Sequence, residues 1–194
     1  MAVGSAAAEA IARHDGMLGG PSETIQGALP WRDGMADPPP VEGAASFLNA
    51  AEMAFISAAV DRLIPPDSTG PSATQADVPT FLDRQLAGAY GQGDHFYLGG
   101  PWPKGEPSQG YQARLAPAQF YRTAIADIEE FVGHANHGKA FKDLQGDAQD
   151  KLLKQLESGD LKLPRVDSKA WFTLFLQNVL EGYFSDPIYG GNRG

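Results

Sequence analysis

Residues 168–184 carry apolar side chains most of the way around a helical axis. Trp171, Phe172, Leu174, Phe175, Leu176, Val179 and Leu180 leave only a narrow polar sector. A helix of that kind is buried on nearly every side, as at the centre of a bundle. Asp167 stands where it can cap the first turn. This segment constrains the whole fold, because other helices must surround it.

The remaining chain supplies those helices. Asn49 and Glu52 have the spacing of a capping box. Met53, Ile56, Val60, Leu63 and Ile64 then fall on one helical stripe, and Pro65-Pro66 stops it, which predicts a helix over 50–64. Pro79, following Asp77, suits a first turn, and Phe81, Leu82, Leu86 and Ala89 predict a second helix over 79–90. Pro117 opens a third. Phe120, Tyr121, Ala124, Ile125, Ile128, Phe131 and Val132 form its apolar face, and Gly138 closes it. Leu152, Leu153 and Leu156 mark a fourth helix over 146–157, with Gly159 just past its end. No alternating run reads as a strand, and no internal repeat is visible. The expected architecture is all-α, with about five helices packed around a buried C-terminal helix.

That helical domain is expected over residues 46–194. Residues 1–45 are rich in Gly, Pro, Ala and Ser, include Pro38-Pro39-Pro40, and read as a disordered or extended N-terminal arm. Trp31 is either a docking contact or a side chain folded back on its own domain. Ala8-Glu9-Ala10 has the form of a signal-peptidase site, so Ala2–Ala10 is either a disordered tail or the remnant of an export signal.

Composition excludes several function classes. The chain has 194 residues and no cysteine, which removes disulfides, thiolate metal sites, a cysteine nucleophile and c-type haem attachment. Fifteen basic residues are scattered among 24 acidic ones, for a formal charge of −9. A phosphate-binding surface needs clustered Lys and Arg, so nucleic acid is not an expected partner. No apolar run approaches the ~20 residues of a membrane span.

Catalytic signals are weak. No G-x-G-x-x-G opens a dinucleotide-binding unit, no P-loop occurs, and no G-x-S-x-G elbow occurs. His134 and His137 are three residues apart, but zinc would need a third ligand, and a solvated pair at a helix end is the plainer reading. Asp127, Glu129 and Glu130 read as the wet face of their helix. Asp61-Arg62 and Asp83-Arg84 read as surface charges.

Two segments stand apart. Residues 91–115 combine glycines and prolines with His95, Phe96, Tyr97, Trp102 and Tyr111, which suggests a surface loop that packs on a partner. Residues 181–193 leave the last helix through Asp186-Pro187 and a Tyr189-Gly190-Gly191-Asn192 turn. Their Tyr, Phe and Arg side chains are interface types, although a chain end folded against its own bundle explains them equally well.

The segment Glu-Gly-Tyr-Phe-Ser-Asp-Pro-Ile-Tyr-Gly-Gly-Asn-Arg at 181–193 resembles the most characteristic stretch of the gluconate 2-dehydrogenase subunit 3 family. Residues 47–52, 61–65, 115–122 and 141–156 resemble its helices. The resemblance implies a small, non-catalytic subunit without cofactors of its own. It would accompany a large FAD-bearing subunit of the glucose-methanol-choline type and a multihaem cytochrome c subunit. Such subunits are thought to support stability, maturation and twin-arginine export of the flavoprotein, which implies a periplasmic location and membrane association through partners. No Arg-Arg pair stands near Met1. The expected partner-contacting residues are Tyr97, Trp102, Tyr183, Phe184, Asp186, Pro187, Tyr189, Gly190, Gly191, Asn192 and Arg193. Two other readings compete: a metal-dependent enzyme using His95, His134 and His137, and an exported sugar-binding domain that stacks Phe96, Tyr97 and Trp102 on sugar rings.

Overall fold

Asn49 starts the first helix as its spacing predicts. Its Oδ1 accepts from the N–H groups of Ala51 and Glu52, both at 2.9 Å, and the Asn49 N–H donates to Glu52. The box is closed in both directions and satisfies donors that a helix start leaves open. Helix α1 then runs Ala50–Leu63 and stops short of Pro65-Pro66. This computed structural model describes residues 45–94, 96, 98–102, 105–106, 110–186, 189 and 191–192. The expected arm, with Trp31 and the Ala8–Ala10 stretch, lies outside the described residues apart from Ala45.

Five more helices follow: α2 over Val78–Ala87, the single turn α3 over Ala89–Gln92, α4 over Pro117–Ala135, α5 over Gly146–Ser158 and α6 over Ser168–Phe184. A 3-10 turn over Phe141–Asp143 joins α4 to α5. No strand occurs among the described residues. The expected all-α class is therefore the observed one.

Most helix ends lie where local chemistry puts them. Pro79 sits in the first turn of α2 and Pro117 in that of α4. Gly159 closes α5 in the left-handed region, at φ 78°. Asp167 accepts from the Ala170 N–H at 2.7 Å. One boundary differs. The expected 79–90 helix breaks at Gly88, whose backbone is extended while its N–H still reaches the Arg84 and Gln85 carbonyls. Helix α3 sets off from that break.

Helix α6 packs against α2, α4 and α5, and α1 packs against α2, α4, α5 and the 3-10 turn. The centre is aromatic. The Trp171 and Phe175 rings stack with centroids 5.0 Å apart, Phe55 and Tyr121 approach Trp171 at 6.2 Å, and Phe141 meets Phe55 at 5.0 Å. Leu152, Leu153 and Leu156 are buried as expected. On α1, Phe55 and Ala59 join Ile56 and Val60 inside, whereas Met53, Leu63 and Ile64 are only partly covered.

Several charges read as surface groups are structural. Asp83 is buried, and its carboxylate accepts from three successive backbone N–H groups, Ser46, Phe47 and Leu48, at 2.5–2.9 Å. Asp127 is buried on α4 and holds both the Arg165 guanidinium and, at 3.1 Å, the Arg165 N–H. Glu129 is half-buried and accepts from the Phe141 N–H at 3.0 Å, and burial pushes its carboxyl up. Asp61 accepts from the Thr74 N–H at 2.8 Å. Arg62 makes a two-pronged contact with Asp150, both bonds 2.7 Å, which ties α1 to α5. Conversely, Phe131, placed on the apolar face of its helix, is 41% exposed.

Helix α6 is also enclosed less fully than its composition suggests. Trp171, Phe172, Phe175, Asn178, Val179 and Gly182 are inside. Thr173, Gln177 and Glu181 are exposed, and so is Leu180, at 42%. The other helices cover one broad face of α6 and leave an apolar strip in solvent.

Candidate partner interface

The C-terminal end of α6 is held by close backbone approaches. A Cβ added to Gly182 would lie 2.6 Å from the Phe81 ring, so only glycine lets α6 sit this near α2. A Cβ on Gly191 would lie 1.9 Å from the Gly182 carbonyl oxygen. The chain end therefore folds back onto the last turn of its own helix. A turn with Tyr189 N–H donating to the Asp186 carbonyl at 2.9 Å makes the reversal, and Ser185 Oγ donates to the Gly182 carbonyl at 3.2 Å.

Upstream, a buried polar knot anchors the helix. Asn178 Oδ1 accepts from both the Tyr90 and the Tyr121 hydroxyls at 2.9 Å, and Asn178 Nδ2 donates to Glu181 at 3.0 Å. Burial pushes the Tyr121 hydroxyl far above its ordinary pKa and raises that of Tyr90. Burial keeps both hydroxyls neutral, so each can donate its proton in a hydrogen bond to Asn178.

The expected interface residues divide. Tyr183 is engaged internally: it is half-buried and its hydroxyl donates to the Pro71 carbonyl at 2.9 Å. Gly191 is buried by the fold-back. Phe184 and Tyr189 face solvent at 73% and 59% exposure, and Asp186 and Asn192 are exposed, the latter with φ 52°. Pro187, Gly190 and Arg193 lie outside the described residues. Both readings of the tail thus hold for different side chains: some fold against the bundle and others are presented outward.

Leu176, Leu180 and Phe184 recur at four-residue spacing, so they share one face of α6. Beside them runs a shallow groove lined by Phe172, Thr173, Leu176, Gln177 and Leu180 with Glu157 of α5. Of this face, Phe184 is among the expected contacts, whereas Leu176 and Leu180 are not. In the sequence, Leu176 and Leu180 read as part of an all-round apolar helix and so as core residues.

The loop after α3 is less available than its composition suggests. Phe96 packs between Tyr90 and Tyr111, with centroids 5.9 and 4.9 Å away, and Tyr111 packs on Phe120 at 6.0 Å. The Tyr111 hydroxyl donates to the Leu115 carbonyl at 2.6 Å. Trp102 remains 41% exposed, with the Arg114 guanidinium 5.1 Å from its ring centroid. Tyr97 and His95 lie outside the described residues. His134 is exposed beside Glu130 at 3.8 Å, and among the described residues no group of three or more His, Asp or Glu could hold a metal ion.

The family described as gluconate 2-dehydrogenase subunit 3 matches residues 50–194, three-quarters of the chain. The chain belongs to that family. The gluconate 2-dehydrogenase subunit 3 match begins at the first residue of α1 and runs through the fold-back at Gly191, so it spans every helix described above. No curated protein and no solved structure matches the chain. The family is described as a subunit of a dehydrogenase complex, which implies partner subunits. No helix among the described residues is long and apolar enough to cross a membrane.

Proposed function

We propose that this chain is the non-catalytic small subunit of a periplasmic, membrane-bound dehydrogenase that oxidises a sugar acid or polyol. Its partners are a large FAD-bearing subunit of the glucose-methanol-choline type and a multihaem cytochrome c subunit. FAD and haem c belong to those partners, and the complex meets the membrane through them. The small subunit supports the stability, maturation and export of the flavoprotein.

The observation that carries this reading is the outward exposure of Leu180, Phe184 and Tyr189 near the end of the domain, on a chain whose family is described as gluconate 2-dehydrogenase subunit 3. Large apolar side chains clustered on a surface mark contacts with other proteins. The competing sugar-stacking role loses one of its three aromatics, because Phe96 is occupied by Tyr90 and Tyr111. Co-expression with the FAD-bearing subunit is the test. The expected result is one stable complex, dehydrogenase activity only when both chains are present, and poor recovery of the flavoprotein alone. A lone chain that oxidises a sugar acid, or one that never co-purifies with the flavoprotein, would overturn the proposal.

A further inference from the structure

Both ends of the domain pair a glutamate with a phenylalanine, but only one supplies the cation that such a pair holds. At the N-terminal end the Arg122 guanidinium bonds the Glu52 carboxylate at 3.1 Å and lies 4.2 Å from the Phe47 ring centroid. At the C-terminal end Glu181 and Phe184 stand three residues apart on α6, so they are neighbours on its surface. Both are exposed, and among the described residues neither meets a Lys or Arg side chain.

The Glu181 carboxylate is exposed yet held in place. Its Oε1 accepts from Gln177 Nε2 at 2.9 Å and its Oε2 from Asn178 Nδ2 at 3.0 Å. Asn178 is fixed in turn by the Tyr90 and Tyr121 hydroxyls, so the carboxylate is rooted in the core. Two amide donors use two of the roughly four lone-pair sites of a carboxylate. Each oxygen keeps capacity for one more donor, which is what a planar guanidinium needs for two parallel bonds. A group already held in position loses little freedom when a partner binds it.

The lone chain gains nothing from this charge. Carbonyls at a helix end carry partial negative charge, Glu181 stands in the last turn of α6, and that turn has no basic residue. A neutral side chain of the same shape could still accept from Asn178. A cation arriving here would meet the carboxylate, the negative helix end and the Phe184 ring together. We propose that Glu181 and Phe184 form a docking site for an arginine side chain of the FAD-bearing subunit. This inference rests on the function proposed above and names the chemistry of its contact.

The test compares the full-length parent with Glu181→Gln in capture of the FAD-bearing subunit, at low and at high salt. The Kd of Glu181→Gln should be about tenfold higher at low salt, and the gap should narrow as salt rises, because only the parent has the ion pair to screen. The denaturation midpoint of the lone Glu181→Gln chain should equal or exceed that of the parent, since a charge is removed from the wrong end of a helix. Equal capture by both chains overturns the proposal. So does a gap that salt leaves unchanged, or a lowered midpoint, which would assign the carboxylate to the fold. A zero-length carbodiimide cross-link from Glu181 to a lysine of the flavoprotein overturns the arginine assignment. Failure of the parent itself to capture the flavoprotein would sink the proposed function and this site with it, whereas equal capture sinks the site alone.

Discussion

The two ends of the helical domain are fastened by opposite means. At the N-terminal corner, charge does the work. Asp83 gathers three backbone N–H groups, Arg122 bonds both Glu52 and the Phe47 carbonyl, and its guanidinium lies 4.2 Å from the Phe47 ring centroid. At the C-terminal corner, absence of side chains does it: Gly182 lets α6 touch Phe81, and Gly191 lets the chain rest on the Gly182 carbonyl. The first device turns the Asp83 and Glu52 carboxylates and the neighbouring Leu48 inward and leaves the Arg122 guanidinium half-exposed over them. The second spends its close packing on backbone and leaves Phe184 and Tyr189 outside. The corner closed by glycine is the one that leaves two large side chains on the surface.

The largest effect expected is at the charged corner. Asp83→Ala removes the acceptor of three N–H groups and should cost about 3 kcal/mol of stability, read by chemical denaturation, because each charge-assisted bond is worth a sizeable fraction of that. A change below about 0.5 kcal/mol, the scale of an ordinary surface substitution, would mean the corner is not fastened by charge.

Asp83 also shows what sequence could convey. Capping by Asn49 and Asp167, the prolines at 79 and 117 and the glycine at 159 were legible because each acts on its own turn of helix. Asp83, Asp127 and Asn178 were not, because the partners that bury them are 35 to 88 residues away and a lone Asp or Asn carries no mark of which fold will bury it. The outward strip escaped for a related reason. An all-round apolar helix reads as a core element, and nothing in its spacing separates a face that meets its own bundle from one that is left open.

Next in size is the glycine corner. Gly182→Ala places a methyl group 2.6 Å from Phe81 and should destabilise by about 2 kcal/mol, as overpacking does. Unchanged stability would show that α6 and α2 can separate slightly without penalty, which would weaken the claim that close approach fastens this end.

A smaller effect tests whether charge outside the corner matters. The Arg62 hydrogen bonds hold the Asp150 carboxyl below its ordinary value near 3.8. A carboxylate with a lowered folded pKa stabilises above its unfolded pKa, and that contribution disappears as pH falls through the lowered value. Both side chains are about one-third exposed, so the gain is well under about 1 kcal/mol. Asp150→Asn should therefore lower neutral stability by that small amount, with the difference from the parent vanishing as pH falls from ~5 to ~2. A drop at neutral pH as large as that of Asp83→Ala would erase the distinction between a buried fastening and a surface pair.

The smallest change in stability should come from the two exposed aromatic side chains proposed as docking contacts. Phe184→Ala and Tyr189→Ala remove rings that are mostly in solvent, so thermal unfolding of the lone chain should shift by no more than about 0.5 kcal/mol. Tyr183→Ala differs, because its hydroxyl donates to the Pro71 carbonyl across 112 residues of chain; it should cost about 1 kcal/mol on its own. Weakened assembly in Tyr183→Ala thus has two explanations, a lost contact or a loosened fold. In Phe184→Ala it has one. If Phe184 is a docking anchor, its removal should weaken capture of the FAD-bearing subunit about 30-fold while the fold is untouched. Equal capture by parent and Phe184→Ala, with Tyr183→Ala alone impaired, would assign the characteristic tail to the fold of this chain and move the search for the partner's contact to Trp102 and Arg114.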